Sequence, residues 1–474
     1  MKRQRSFSDF SDAAGCRRRT AFCAAATILL TIAMPGIAAP VLMISVDGLK
    51  PEYVFEAEKR GLKIPYLGSL TRSGTYASGV IGVWPTVTYP SHTTLVTGVS
   101  PAEHGILSNV EFDPEQHFKE AWFWYADQIR VPTLWRVTHA AHLTTASIGW
   151  PVTVGATDID FLIPEYWRIT GPTSDLNPSD RYLMAALSRP VELLAEMQKT
   201  LGPYLMANDT SLQGDEVKTR FAIDMMRRHK PAFMTVHLSS LDDAQHGHGV
   251  FSEQANRDLE AVDGLLAELA AAAHDASPAA IVAIVSDHGF TTLTHRVNLL
   301  IPFLRSALVT STLDPVTRMP KLASWKAQPW VSGGMAAVML HDPNDGGTQR
   351  AVGELLQSLA ADPNNGIARI DGRTDIERHG AFPDAAFLVV MKPGFYAAAS
   401  FNGELVSEFP SGHGGHGFSP EYPEMHAAFF IAGPGIARGR DLGVIDMCQV
   451  APTVAQILGV SLSTAKHVPL NVLQ

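Results

Sequence analysis

Three observations predict an α/β fold with a central, mostly parallel sheet flanked by helices. Short apolar runs lack two-residue alternation, helical patterns lie between them, and polar residues gather just beyond their ends. The runs are Val41–Val46, Phe233–Leu238, Ile281–Val285 and residues 428–432. Unbroken apolarity marks strands covered on both faces, so all four are read as parallel strands. Between them, Leu259, Val262, Leu266 and Leu269 recur at spacings of three, four and three, and Val217, Phe221 and Met225 at spacings of four. Each set makes one apolar face of a helix. Ile457 and Leu458 close a C-terminal helix that Gly459 can terminate. Residues 153–213 and 295–385 are richer in Pro, Asp and turn formers, and read as insertions over the active-site edge of the sheet.

Composition narrows the function. The chain has 474 residues, 46% hydrophobic and 18% charged, which fits a globular core and excludes wholesale disorder or a membrane bundle. Acidic residues outnumber basic ones 47 to 37, so general nucleic-acid binding, which needs a cationic surplus, is excluded. The N-terminus departs from this balance: Lys2, Arg3, Arg5, Arg17, Arg18 and Arg19 face only Asp9 and Asp12. Uncharged residues 21–33 follow, then Pro35, Gly36, Ala38 and Ala39, the layout of a secretory signal cleaved near Ala39. The apolar stretch falls short of the roughly 20 residues that span a bilayer. Residues 1–39 are therefore predicted to direct export, periplasmic or secreted, with no stable membrane anchor after cleavage. Arg18 and Arg19 add a hint of twin-arginine export. Residues 40–474 remain as one domain, whose sole cysteine, Cys448, is expected to be buried and cannot form an intrachain disulfide.

Polar residues follow the apolar runs where such sheets place their sites. Asp47 follows the first run; alone, it reads equally as a turn former. Asp287 and His288 leave the third run together beside Gly289, and a carboxylate and imidazole so placed call for a partner such as a cation. Asp242 and His246 lie four apart, so one helical turn would put them on one face. Oxygen and nitrogen at that spacing suit a zinc ion, and a solvated loop suits it as well. His413 and His416 stand among glycines that permit close backbone approach, and one of them could be a ligand. Together these groups suffice for two divalent ions, and mixed His and carboxylate donors favour zinc over calcium or magnesium. Between Pro85 and Pro90, Thr88 precedes a segment that reads as helical from Ser91 to Gly98. A hydroxyl at a helix amino end beside a cation can ionise. The alternative is that Thr86, Thr88 and Ser91 only cap that helix.

Taken together, the motifs resemble the nucleotide pyrophosphatase/phosphodiesterase (type I phosphodiesterase) family of the alkaline phosphatase superfamily. The resemblance rests on Ser45-Val46-Asp47-Gly48, on residues 85–92 with Thr97-Gly98 and Pro101, on His104-Gly105-Ile106 with Asn109 and Asp113-Pro114, and on Trp150-Pro151. It continues through Asp242 with His246, Ser286-Asp287-His288-Gly289, and His416-Gly417-Phe418. It implies that Thr88 is a nucleophile that becomes a phospho-threonine, and that Asp242, His246 and His416 hold one zinc. Asp47, Asp287, His288 and the Thr88 oxygen would hold the other, and Asn109 would contact a phosphoryl oxygen. His92 and His104 fall outside this pattern and read as packing residues.

The resemblance implies a small-molecule phosphoester substrate, with nucleotides favoured because the aromatic Tyr89 follows the nucleophile. The opposite wall departs from the family: Thr170 falls nearest its expected tyrosine, with Tyr166 and Trp167 close by. For Tyr89, Tyr166 and Trp167, base stacking and core packing weigh equally. Val152 replaces the Gly that follows Trp-Pro, and Val87 replaces the Lys that precedes the nucleophile. The alternatives are a phosphomonoesterase of the same superfamily and a phosphodiesterase for lipid headgroups. No Lys-x-Arg pair stands near Trp150, and Cys448 lacks a sulfatase setting.

Overall fold

The computed structural model describes residues 39–115, 117, 121–166, 178–204 and 210–474, so the predicted signal, residues 1–39, lies almost wholly outside the described residues. Among them, a nine-stranded sheet contains β1 (Val41–Val46), β2 (Thr75–Ile81), β3 (Thr145–Ile148), β4 (Phe161–Ile163), β5 (Phe233–Leu238) and β6 (Ile281–Val285). The strand Ala427–Ala432 and the short strands Arg440–Asp441 and Val444–Asp446 complete it. Five neighbours, in the order β6, β1, β5, β3 and β4, run parallel.

The strand Ala427–Ala432 departs from expectation, because it pairs antiparallel with both β6 and β2. An apolar run reports burial on both faces, which this strand has, and carries no information about direction. Two reversals leave β2 pointing the same way as the parallel block. The carboxyl ends of β1, β2, β5 and β6 therefore open onto one edge.

The sheet has a core on each face. Leu42, Ile44 and Val46 of β1 pack with Val217, Phe221 and Met225 of the helix Leu212–His229, and with Leu259, Val262, Leu266 and Leu269 of the helix Glu253–Ala276. Val41 and Met43, pointing the other way, pack with Val450, Val454, Ile457 and Leu458 of the helix Val450–Leu458. Alternate side chains thus enter different cores, and the alternation disappears from the sequence. Ser211 and Ser252 cap the first two helices, accepting from the N–H of Gly214 and Ala255. Gly459 ends the third at φ 71°. None of the helices among the described residues is long and apolar enough to cross a membrane.

Much of the region read as the second insertion forms a sheet of its own. Ala327–Ser332, Met335–Leu340, Ile367–Asp371 and Phe387–Met391 pair antiparallel. The turn joining the first two strands interlocks with the backbone around His416. A Cβ on Gly333 would lie 2.2 Å from the His416 carbonyl oxygen, and one on Gly417 would lie 2.5 Å from that of Ser332. The N–H of Gly334 donates to the His416 carbonyl at 3.2 Å, and that of Gly417 to Thr86 at 2.9 Å. Gly417 also has a φ of 84°. Substituting Gly417→Ala therefore combines backbone strain with a collision, and is expected to destabilise the protein by about 1–3 kcal/mol or more, measured by denaturant unfolding followed by circular dichroism.

Candidate metal centre and active site

Four strand ends and one loop supply the site. Asp47 follows β1, and Asp287 and His288 follow β6. After β5 the chain enters the helix Ser240–His248, which carries Asp242 and His246. That helix is seated by Asp215, whose two carboxylate oxygens accept the N–H groups of Ser239 and Ser240, each at 2.9 Å. Lys218 lies 3.5 Å from Asp215 and donates to the Ser239 hydroxyl at 3.0 Å. His416 arrives on the glycine loop held by the second sheet.

These six side chains converge. Ligand atoms of Asp47, Asp287 and His288 lie within 4.8 Å of one another, as do those of Asp242, His288 and His416. His246 Nε2 is 3.2 Å from His416 Nε2 and 3.5 Å from Asp242. His288 thus stands between the two groups. His413, the other imidazole of the glycine loop, is half-buried and turns its Nδ1 to the Ser411 carbonyl at 3.3 Å.

Tautomers show what the cluster lacks. His416 Nδ1 is 3.0 Å from the Thr86 carbonyl, His246 Nδ1 is 3.1 Å from that of Gly414, and His288 Nδ1 is 3.2 Å from that of Gly289. A carbonyl only accepts, so each Nδ1 carries a hydrogen and each Nε2 faces inward. Burial holds His416 down to about 3 and pushes His288 well below the usual histidine range, so these two rings stay uncharged. Their approaches to carboxylates, such as His288 Nε2 to Asp287 Oδ2 at 3.1 Å, are meetings of acceptors and not ion pairs. Asp47 Oδ1, Asp242 Oδ1 and Asp287 Oδ2 are buried without a hydrogen-bond partner. Burial pushes Asp287 up to about 7 and Asp47 well above the carboxylate range, with neighbouring carboxylates adding to it. Lone pairs and orphan oxygens facing one space are the donor set of cations, and the residues fit a metal pair.

Thr88 stands beside this cluster. The helix Thr88–Thr97 begins at Thr88, three residues before the expected start, and no side chain caps it. This removes the capping reading: Thr86 Oγ1 donates to the Phe418 carbonyl at 2.7 Å, and Thr88 Oγ1 lies 3.4 Å from His288 Nε2. His92 is fully buried and donates from Nδ1 to the Thr88 carbonyl at 2.8 Å, so it steadies the first turn as well as packing on Trp150. His104 is buried against the Thr94 hydroxyl at 3.1 Å. Asn109 accepts the Tyr89 N–H at Oδ1, 2.9 Å away, which leaves its NH₂ group for another acceptor.

A cavity of about 320 Å³ is lined by Asp47, Thr88, Asn109, Asp242, His246 and His416, together with Tyr89, Trp122, Glu165 and Asp243. Tyr89 is only 1% exposed: its ring meets Trp122 and Trp124, and its hydroxyl donates to Glu165 at 2.7 Å. Tyr166 is half-buried and lies against Trp124. Trp167 and Thr170 fall outside the described residues. Sequence reading missed His237, which is buried in β5 with Nε2 3.0 Å from Asp47 and Nδ1 3.0 Å from Glu165. The available signal was a lone imidazole within an otherwise apolar run, one residue from its carboxyl end.

Known proteins resemble this chain in sequence and in fold. The family model described as type I phosphodiesterase / nucleotide pyrophosphatase matches residues 41–419. Mouse ectonucleotide pyrophosphatase/phosphodiesterase family member 1 is 24% identical over 260 residues, covering 53% of this chain and 24% of that protein. A Caenorhabditis elegans ectonucleotide pyrophosphatase/phosphodiesterase is 24% identical over 403 residues, covering 83% of this chain and 43% of that one. The chain thus spans about a quarter to under half the length of these curated relatives. Among solved structures, human ectonucleotide pyrophosphatase/phosphodiesterase 5 superposes with a TM-score of 0.61 at 18% identity, covering 89% of this chain and 95% of that one. The murine counterpart, an inactive variant in complex with AMP, gives 0.61 at 19% identity over 92% and 97%. The fold is theirs, and the match over residues 41–419 places this chain in the type I phosphodiesterase / nucleotide pyrophosphatase family.

Proposed function

We propose that this chain is a two-zinc phosphodiesterase that hydrolyses phosphodiester or pyrophosphate bonds, nucleotide-type substrates among them, through a phosphorylated Thr88. The carrying observation is the half-buried Thr88 hydroxyl at the first position of a helix, 3.4 Å from His288 Nε2 and beside two groups of unpartnered ligand atoms. Asp242, His246 and His416 would hold one ion; Asp47, Asp287, His288 and the Thr88 oxygen would hold the other. Bound there, two zinc ions would supply Lewis acidity, helping a hydroxyl ionise and offsetting charge on the transferred phosphoryl group.

The remaining work belongs to the chain. Thr88 attacks phosphorus, the ester oxygen departs, and water then cleaves the phospho-threonine in a second displacement. The positive end of the dipole of the helix Thr88–Thr97 favours the anionic group at Thr88. The Asn109 NH₂ group, freed by the Tyr89 N–H on its oxygen, is the neutral donor for a non-bridging oxygen.

Charge favours a diester over a monoester. Among the described residues, the cavity lining includes neither Lys nor Arg to pair with the second negative charge of a monoester, which leaves a singly charged diester the better fit. AMP in the murine neighbour supports a nucleotide-type ligand. We assign the base to the half-buried Trp122 and Tyr166, which pack on the buried Tyr89 and Trp124, with Trp167 next in sequence. The reading includes export, on the strength of residues 1–39.

Thr88→Ala is expected to keep zinc and lose at least about 10³-fold in kcat, whereas Asp287→Ala should lose both; assays with bis(p-nitrophenyl) phosphate and metal analysis by mass spectrometry measure this. Full activity in Thr88→Ala would defeat the covalent scheme. The wild type should also prefer bis(p-nitrophenyl) phosphate over p-nitrophenyl phosphate in kcat/KM by about tenfold or more, roughly 1.4 kcal/mol. A preference for the monoester makes the chain a phosphomonoesterase, and a preference for lysophospholipids over nucleotide diesters makes it a headgroup enzyme.

A further inference from the structure

His237 does more than fill β5. It pairs across the sheet with Ser45 of β1, which brings its ring beside Asp47. Its Nε2 lies 3.0 Å from Asp47 Oδ2, and its Nδ1 lies 3.0 Å from Glu165 Oε2 and 3.1 Å from the Gly149 carbonyl. Every one of these partners is an acceptor, so both ring nitrogens donate. Glu165 continues the chain, since its Oε1 accepts the Tyr89 hydroxyl at 2.7 Å. The Tyr89 N–H in turn occupies Asn109 Oδ1. Hydrogen bonds therefore link Asp47 through His237 and Glu165 to the Tyr89 hydroxyl, and the backbone N–H of that same residue, the one after Thr88, continues to Asn109.

We propose that His237 is a positioning residue that ties Asp47 Oδ2 to Glu165, leaving Oδ1 aimed at a cation and fixing the Tyr89–Asn109 pair against Thr88. The inference rests on the metal-dependent reading of the site. Asp47 Oδ1 is the oxygen left without a partner, as a ligand oxygen must be. A carboxylate locked by a donor on its far oxygen loses less freedom on binding a cation, and such orienting bonds typically contribute 10–100-fold in metal affinity. Packing offers the competing explanation, because the His237 ring also meets His92 edge-on at 4.4 Å.

Two substitutions separate donor from filler. His237→Phe keeps an aromatic ring and loses both donors; His237→Gln loses the ring and keeps an amide donor. Zinc affinity is measured by chelator competition, with folding followed by circular dichroism and diester turnover alongside. The donor role predicts that His237→Phe weakens one of the two zinc ions by about 10–100-fold, with His237→Gln in between. Equal affinity in wild type and His237→Phe, or a tighter His237→Phe than His237→Gln, overturns the proposal. If both variants fail to fold, Glu165→Gln at the cavity wall decides. It removes the orienting carboxylate and a negative charge, and should weaken zinc in the same direction with a fall in kcat larger than any change in KM; unchanged affinity and kcat overturn the proposal. A wild type that binds no zinc would instead refute the metal-dependent reading itself.

Discussion

The arrangement turns on one electrostatic constraint: three carboxylates and three imidazoles crowd one space in which their facing atoms cannot all satisfy one another. Asp47, Asp242 and Asp287 each keep an oxygen without a donor, and His246, His288 and His416 have each given their Nδ1 hydrogen to a carbonyl. In a folded chain such groups persist only when something outside the polypeptide completes them. The carbonyls that receive these Nδ1 hydrogens belong to Gly414, Gly289 and Thr86, and two of those segments abut the second sheet or the turn before Thr88. The scaffold thus fixes ring orientation before any ion arrives.

That constraint explains the topology around it. A parallel block delivers Asp47, Asp287 and the Ser240–His248 helix to one edge, and β2 delivers Thr88 to the same edge because two antiparallel pairings restore its direction. The second sheet holds the loop that supplies His416, at a spacing that only glycine permits at Gly333 and Gly417. Sheet, helix and loop each bring part of the donor set, and no local segment holds all of it.

Much of this was legible in the sequence, for physical reasons. Asp47 stands directly after one apolar run, Asp287 and His288 follow another past a single serine, and a charge at the end of a buried strand is costly enough to be informative. The Asp242 and His246 spacing pointed to one helix face, which the helix Ser240–His248 provides. Strand direction was not legible, because residues 427–432 are as apolar as any parallel strand. His237 was hidden for a related reason: its partners lie across the sheet and beyond β4, so its meaning resides in neighbours that sequence order does not reveal. Thr88 as cap or as reactive hydroxyl was undecidable locally; the structure removes the cap, since no side chain caps the helix, and it sets the hydroxyl 3.4 Å from His288 Nε2.

The backbone clasp between Gly333 and the His416 carbonyl has a bearing on biogenesis. His416 lies far along the polypeptide from Asp47, and its seat exists only once residues 327–340 have folded. A nascent or truncated chain lacking this late segment retains Asp47, Asp287 and His288 and lacks the clasp that seats His416. A seated His416 would then report that synthesis has passed the glycine loop and that the later sheet has docked.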